Sequence, residues 1–156
     1  MRVIHIDPKH KASVPIYIYL SRRSDSTLML SDSRYSELCE KIFGLSPNIR
    51  FAGVITKMGT IVAGGMHNDL QSMEDKNDSY KLYLQFALRN ELRKDFDSVF
   101  GRAIYSIIER EKIKFASFPL ADYNHILMIS FEKKEKDHFR IIQNVLNIIH
   151  EYSRFG

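Results

Sequence analysis

Residues 50–66 read RFAGVITKMGTIVAGGM, and their reading decides the fold. Two β-rich runs, Arg50 to Lys57 and Thr60 to Met66, flank Met58-Gly59 at the spacing of a tight hairpin. Gly53, Gly64 and Gly65 weaken a strand intrinsically, so they imply a bulge or close packing by a helix. Just upstream, Tyr35, Leu38, Cys39, Ile42 and Phe43 fall at i, i+3, i+4, i+7 and i+8, the stripe of an amphipathic helix. Ser31, Asp32 and Ser33 offer N-caps for that helix, while Gly44 and Pro47 end it. Cys39 in the middle of the stripe reads as a small hydrophobe rather than a nucleophile.

Downstream of the hairpin, residues 67–78 are polar and acidic and read as a loop. A long helix is expected over Ser79 to Phe100, ended by Gly101. Its ridge is Leu84, Leu88, Leu92, Phe96 and Val99, widened by Tyr80, Tyr83, Phe86 and Ala87, and it reads as a core helix lying on a sheet. Three strands follow at Arg102 to Arg110, Lys112 to Phe118 and His125 to Glu132. A last helix covers Lys136 to Ser153. The order helix, two strands, helix, three strands, helix makes an α+β domain with a five-stranded antiparallel sheet and helices on its faces.

At 156 residues the chain is one ordinary domain, and 44% hydrophobic with 27% charged residues excludes disorder. Residues 29–156 are read as that domain and residues 1–28 as a basic leader. Of the net charge of +4, residues 1–30 carry +3, with Arg2, Lys9, Lys11, Arg22 and Arg23 against Asp7 and Asp25. The body is almost neutral, so nucleic-acid binding is disfavoured, and any such binding would run through the leader and fall steeply with salt. Val14 to Leu20 could add an edge strand, and Met29 could be the natural start. One cysteine excludes an internal disulfide and any cysteine-based zinc site, and fits a cytoplasmic setting. No apolar run is long enough to cross a membrane.

Catalytic signals are weak throughout. His5, Asp7 and His10 are metal-capable but have no element to hold them. His67 and Asp69 follow the glycine pair and read as turn residues, while His125 opens a strand without a visible partner for base chemistry. Gly64-Gly65 lacks the Lys-Ser/Thr of a P-loop and the third glycine of a dinucleotide turn. The residues thus assign no catalytic, cofactor-binding or metal site, and an enzyme is not expected.

Several stretches carry a resemblance: Ile49 to Val54, Gly64-Gly65, Leu88-Arg89-Asn90, Glu111 to Lys114, Phe118-Pro119-Leu120 and His125-Ile126-Leu127. From about residue 31 onwards the chain resembles a small family of single-domain archaeal proteins from ammonia-oxidising lineages. Its element order, and the hairpin Phe51 to Ile61, are similar to roadblock and longin-type domains, with profilin as a further relative in topology. That resemblance implies a strand order like 2-1-5-4-3, homodimerisation, and scaffold or small-GTPase regulatory roles without chemistry. The exposed edges would then be Thr60 to Met66 and Arg102 to Arg110. The dimer contact is expected at Ala103, Tyr105 and Ile107 with the flank of the long helix, including Tyr83 and Phe86. The alternative is a PAS-like sensor whose small-ligand pocket is lined by Tyr80, Phe115, Met128 and Tyr105.

Overall fold

The computed structural model describes residues 33–68 and 70–154. The leader, its expected edge strand, Met29, the His5–His10 group and Asp69 lie outside the described residues. Helix α1 covers 33–43 and is followed by β1 (Ile49–Thr56) and β2 (Ile61–Met66). Helix α2 (Lys76–Arg93) leads through a 3-10 turn at Lys94–Phe96 into the short α3 (Asp97–Phe100). Strands β3 (Ser106–Glu109), β4 (Ile113–Pro119) and β5 (His125–Glu132) precede α4 (His138–Arg154). The five strands lie in the order β2-β1-β5-β4-β3, with every neighbouring pair antiparallel, as expected.

Period-two alternation in the strands divides the core into two layers. Ala52, Val54, Ala116, Phe118, Leu127, Ile129 and Phe131 meet Leu38, Cys39 and Ile42 of α1 and Ile141, Ile142 and Val145 of α4. On the opposite face Phe51, Ile55, Phe115, Ile126 and Met128 meet Phe86 and Ala87 of α2. Burying a side chain of this size stabilises by about 1.5–3 kcal/mol, so both helix layers are needed to cover the sheet.

Two glycines permit the closest approaches of backbone to backbone. The hairpin turn passes through Gly59 at φ +79°, where an added Cβ would stand 2.8 Å from the Leu84 Cα of α2. Gly64, at φ +83°, would drive a Cβ to 2.1 Å from the Ala52 carbonyl oxygen and 2.8 Å from the Cys39 Sγ. The ladder between β1 and β2 also shifts register between Val54 and Ile55, where Val62, two residues before Gly64 in β2, is the extra residue.

The structure corrects three sequence expectations. The long helix begins earlier, with Asp75 as its N-cap accepting from the Asp78 N–H, and it is α-helical only to Arg93. Beyond Asn90 nothing on it is buried up to residue 100, so packing no longer enforces the α pitch and the turn tightens. The ridge read as core faces solvent: Leu88, Leu92, Phe96 and Val99 are exposed, while Tyr83, Phe86, Ala87 and Asn90 face the sheet. Leu88 and Asn90 are about 200° apart on a helix of 100° per residue, so α2 carries apolar groups on two opposing sides. Finally, the strand expected over Arg102 to Arg110 is ordered into the sheet only at Ser106–Glu109. Ser106 pairs with Ser117, which places Ile104 opposite Pro119, and proline has no N–H to continue the ladder.

Gly64→Ala is expected to lower unfolding stability by about 2–4 kcal/mol, combining left-handed strain with overpacking. Gly44→Ala, whose added methyl comes no nearer than 3.4 Å to the Lys41 carbonyl and 4.0 Å to that of Glu40, should cost under about 1 kcal/mol. Urea titrations of both variants check the contrast, and equal losses would contradict it.

Candidate functional site

The outward side of α2 and α3 is the largest chemical anomaly on the molecule. Leu88, Leu92, Phe96, Val99 and Phe100 are between 53% and 81% exposed, and Phe96 and Phe100 stack with ring centroids 6.0 Å apart. Ile104 and Tyr105 are also exposed and follow in sequence, but on the α4 side of the sheet, Ile104 beside Leu146 and Ile149 and the Tyr105 ring near Phe118. Scattered exposed leucines are ordinary, but a continuous ridge of aromatic and branched residues is characteristic of a contact surface. The outer edge of β3 adjoins in sequence, with backbone groups on one side not bonded to any strand of this sheet.

The expected contact residues divide between exposed and buried positions. Tyr105 is exposed, with its ring 6.2 Å from that of Phe118. Ile107 is half-buried against the layer formed with α1 and α4. Phe86 is buried with its ring 5.6 Å from Phe115, and the Tyr83 ring stacks on Phe51 at 5.7 Å. Burial also raises the Tyr83 hydroxyl above its ordinary pKa, with Glu74 acting in the same direction. Both rings therefore fasten α2 to its own sheet. Ala103 is half-buried beside Asn90, Lys94 and Tyr123.

The expected pocket residues are also dispersed. Phe115 and Met128 share a cavity of about 20 Å³ with Tyr83, room for a single water. Ligand cavities are typically several hundred Å³. Tyr80 lies elsewhere, on an open groove of about 370 Å³ with Thr60 and Ile61 at the hairpin end. Tyr105 lines neither.

Polar clusters perform structural work. His67 pairs its Nδ1 with the Ile49 carbonyl at 3.1 Å and stacks on Phe43, as a turn residue. His125 acquires partners that its isolated reading did not supply: Asp122, at 2.5 Å, and the Tyr35 hydroxyl, at 3.2 Å. Asp122 Oδ1 also accepts the Asn124 and His125 backbone N–H groups, so the group pins the β4–β5 turn. Burial acts to raise the Asp122 pKa, but those N–H groups, His125 and Tyr35 outweigh it and hold the carboxyl below its ordinary value. Glu135 is held low mainly by Asn48, with the Asp137 N–H and Ser46 as further donors. Buried Lys114 donates to the Glu135 carbonyl at 2.6 Å, locking the start of α4 to β4. Among the described residues no three His, Cys, Asp or Glu side chains are grouped to hold a metal ion.

The family of unknown function DUF6659 matches residues 28–155. The chain belongs to that family. No match was found among curated proteins. Among solved structures, the gliding protein MglB of Thermus thermophilus aligns with a TM-score of 0.61 at 12% identity, covering 80% of this chain and 91% of that one. MglB of Myxococcus xanthus gives 0.59 at 10% identity over 79% and 90% of the two chains. A Roadblock/LC7 domain from Streptomyces avermitilis gives 0.57 at 10% identity over 77% and 95%. At these identities the likeness establishes the roadblock fold of this family member. Among the described residues no helix is long and apolar enough to cross a membrane.

Burial, reinforced by Glu40, pushes the Cys39 thiol up to about 12. Native protein at pH 8 should therefore resist iodoacetamide and react only when unfolded; rapid native labelling would contradict the packed position. Glu135 has a depressed folded pKa, so its contribution is present above the ordinary carboxylate range and disappears as pH falls through the folded value. Glu135→Gln should cost about 1–3 kcal/mol at pH 7 and much less near pH 3, measured by denaturant unfolding at both values.

Proposed function

We propose that the protein is a non-enzymatic regulatory or scaffold module that acts through protein–protein contact and homodimerises. The observation that carries this reading is the solvent-facing ridge of Leu88, Leu92, Phe96, Val99 and Phe100, a side of α2 and α3 separate from the one that holds the sheet. A helix with two apolar sides needs two surfaces to cover, and its own sheet supplies one. A second copy supplies the other, with Tyr105 and the β3 edge at Ser106–Glu109 extending the contact. One structural neighbour is described as MglB with tetrameric arrangement, an assembled relative in fold at 15% identity. The partner beyond a second copy is a small GTPase or another regulatory protein, the class that a roadblock-like domain implies. A sequence with a single cysteine, and so no internal disulfide, accords with a cytoplasmic protein.

Light scattering coupled to size exclusion, at tens of micromolar, should give twice the chain mass. Leu92→Lys and Val99→Lys replace exposed residues, so both variants should fold, with unchanged far-UV circular dichroism. Each should weaken pairing by about 2–4 kcal/mol, roughly thirty- to thousand-fold. A strictly monomeric wild type, or folded variants that remain dimeric, would overturn the reading.

A further inference from the structure

The residues between β3 and β4 and those between β5 and α4 meet at one end of the sheet, where Ile113 pairs with Glu132. Lys133 joins the two turns, pairing with Glu109 at 2.7 Å and donating to the Arg110 carbonyl at 2.8 Å. Beneath them the buried Lys114 donates to the Glu135 carbonyl. Eight Lys and Arg, counting Arg50 and Arg140, stand against five Asp and Glu here, and ten against ten over the rest of the described residues. Four of the five acids are already engaged. Glu109 is held by Lys133, Glu132 by Arg50 at 2.7 Å, and Asp137 by Arg140 at 3.4 Å. Glu135 accepts from Ser46, Asn48 and the Asp137 N–H. Arg110, Lys112, Lys134 and Lys136 are exposed and have no carboxylate partner among the described residues. Phe139, 60% exposed, stands beside them at the start of α4, its ring centre 4.5 Å from that of His138.

We propose that this end of the sheet binds an acidic segment of a partner protein that also carries an apolar residue. Its carboxylates meet Arg110, Lys112, Lys134 and Lys136, and its apolar side chain lies against Phe139. Four cations whose field no neighbouring acid cancels attract an anionic partner and set its orientation. The exposed Glu111 and Asp137 decide which kind of polyanion fits. A plane of lipid headgroups would press negative charge against both, whereas a peptide places its carboxylates between them. The surface is separate from the dimer ridge, whose last turns lie at the other end of the sheet, where Lys94 reaches Tyr123. It therefore gives the module a second contact that does not compete with pairing.

Fluorescence polarisation with the labelled peptide Glu-Glu-Leu-Leu-Glu-Glu tests this, beside its counterpart with Gln in place of every Glu. The Glu form should bind at least about ten-fold more tightly at about 50 mM salt, and the preference should shrink at about 500 mM. Lys112→Gln, Lys134→Gln and Lys136→Gln together should abolish the preference with unchanged circular dichroism, since all three residues are exposed and unpaired. Lys41→Gln, Lys57→Gln and Lys76→Gln together remove the same charge from exposed positions elsewhere and should leave the preference intact. Equal binding of the two peptides, no binding at millimolar protein, or equal losses in the two triple variants would overturn the site. Wild-type protein that sediments with phosphatidylserine vesicles but ignores the Glu peptide would overturn the peptide assignment in favour of a membrane surface.

Discussion

Strand β1 is hydrogen-bonded on both edges and covered on both faces, and the other elements take their places from that constraint. It pairs with β2 through the hairpin and with β5 from Ile49↔Phe131 to Thr56↔His125. A strand so enclosed needs apolar residues on both sides, and Ala52 and Val54 serve one layer while Phe51 and Ile55 serve the other. Because β5 occupies its second edge, the chain must leave the hairpin, cross a face as α2, and return through β3 and β4. The crossing helix is therefore the element that covers the sheet on one side and meets solvent on the other.

That double duty also explains what could be read from the sequence. The hairpin, β5 at His125–Glu132 and the stripe of α1 were legible because each has one dominant local signal: a turn glycine, a β-rich run or a single apolar face. Helix α2 has two apolar sides, and periodicity reports that such sides exist without reporting which one the sheet takes. The longer ridge was the exposed one. The aromatic group at Tyr83 and Phe86 was the anchor. The early end of β3 was likewise hidden, since it depends on a proline in the neighbouring strand and on register.

Sites made by distant residues were the least legible. Asp122 and His125 stand three apart and could have been paired by inspection, but Tyr35 joins them only through the packing of α1.

The β1–β5 pairing has a kinetic consequence. Its partners lie 69 to 82 positions apart in the chain, whereas β1 and β2 meet across a short turn. During synthesis the hairpin can close as soon as it emerges, but its inner edge has no native partner until residues 125–132 have left the ribosome. Through that interval Ile49–Thr56 presents an open, strongly apolar strand edge to anything nearby. Vectorial synthesis therefore gives β1, enclosed on both edges in the finished sheet, a long wait for its second neighbour.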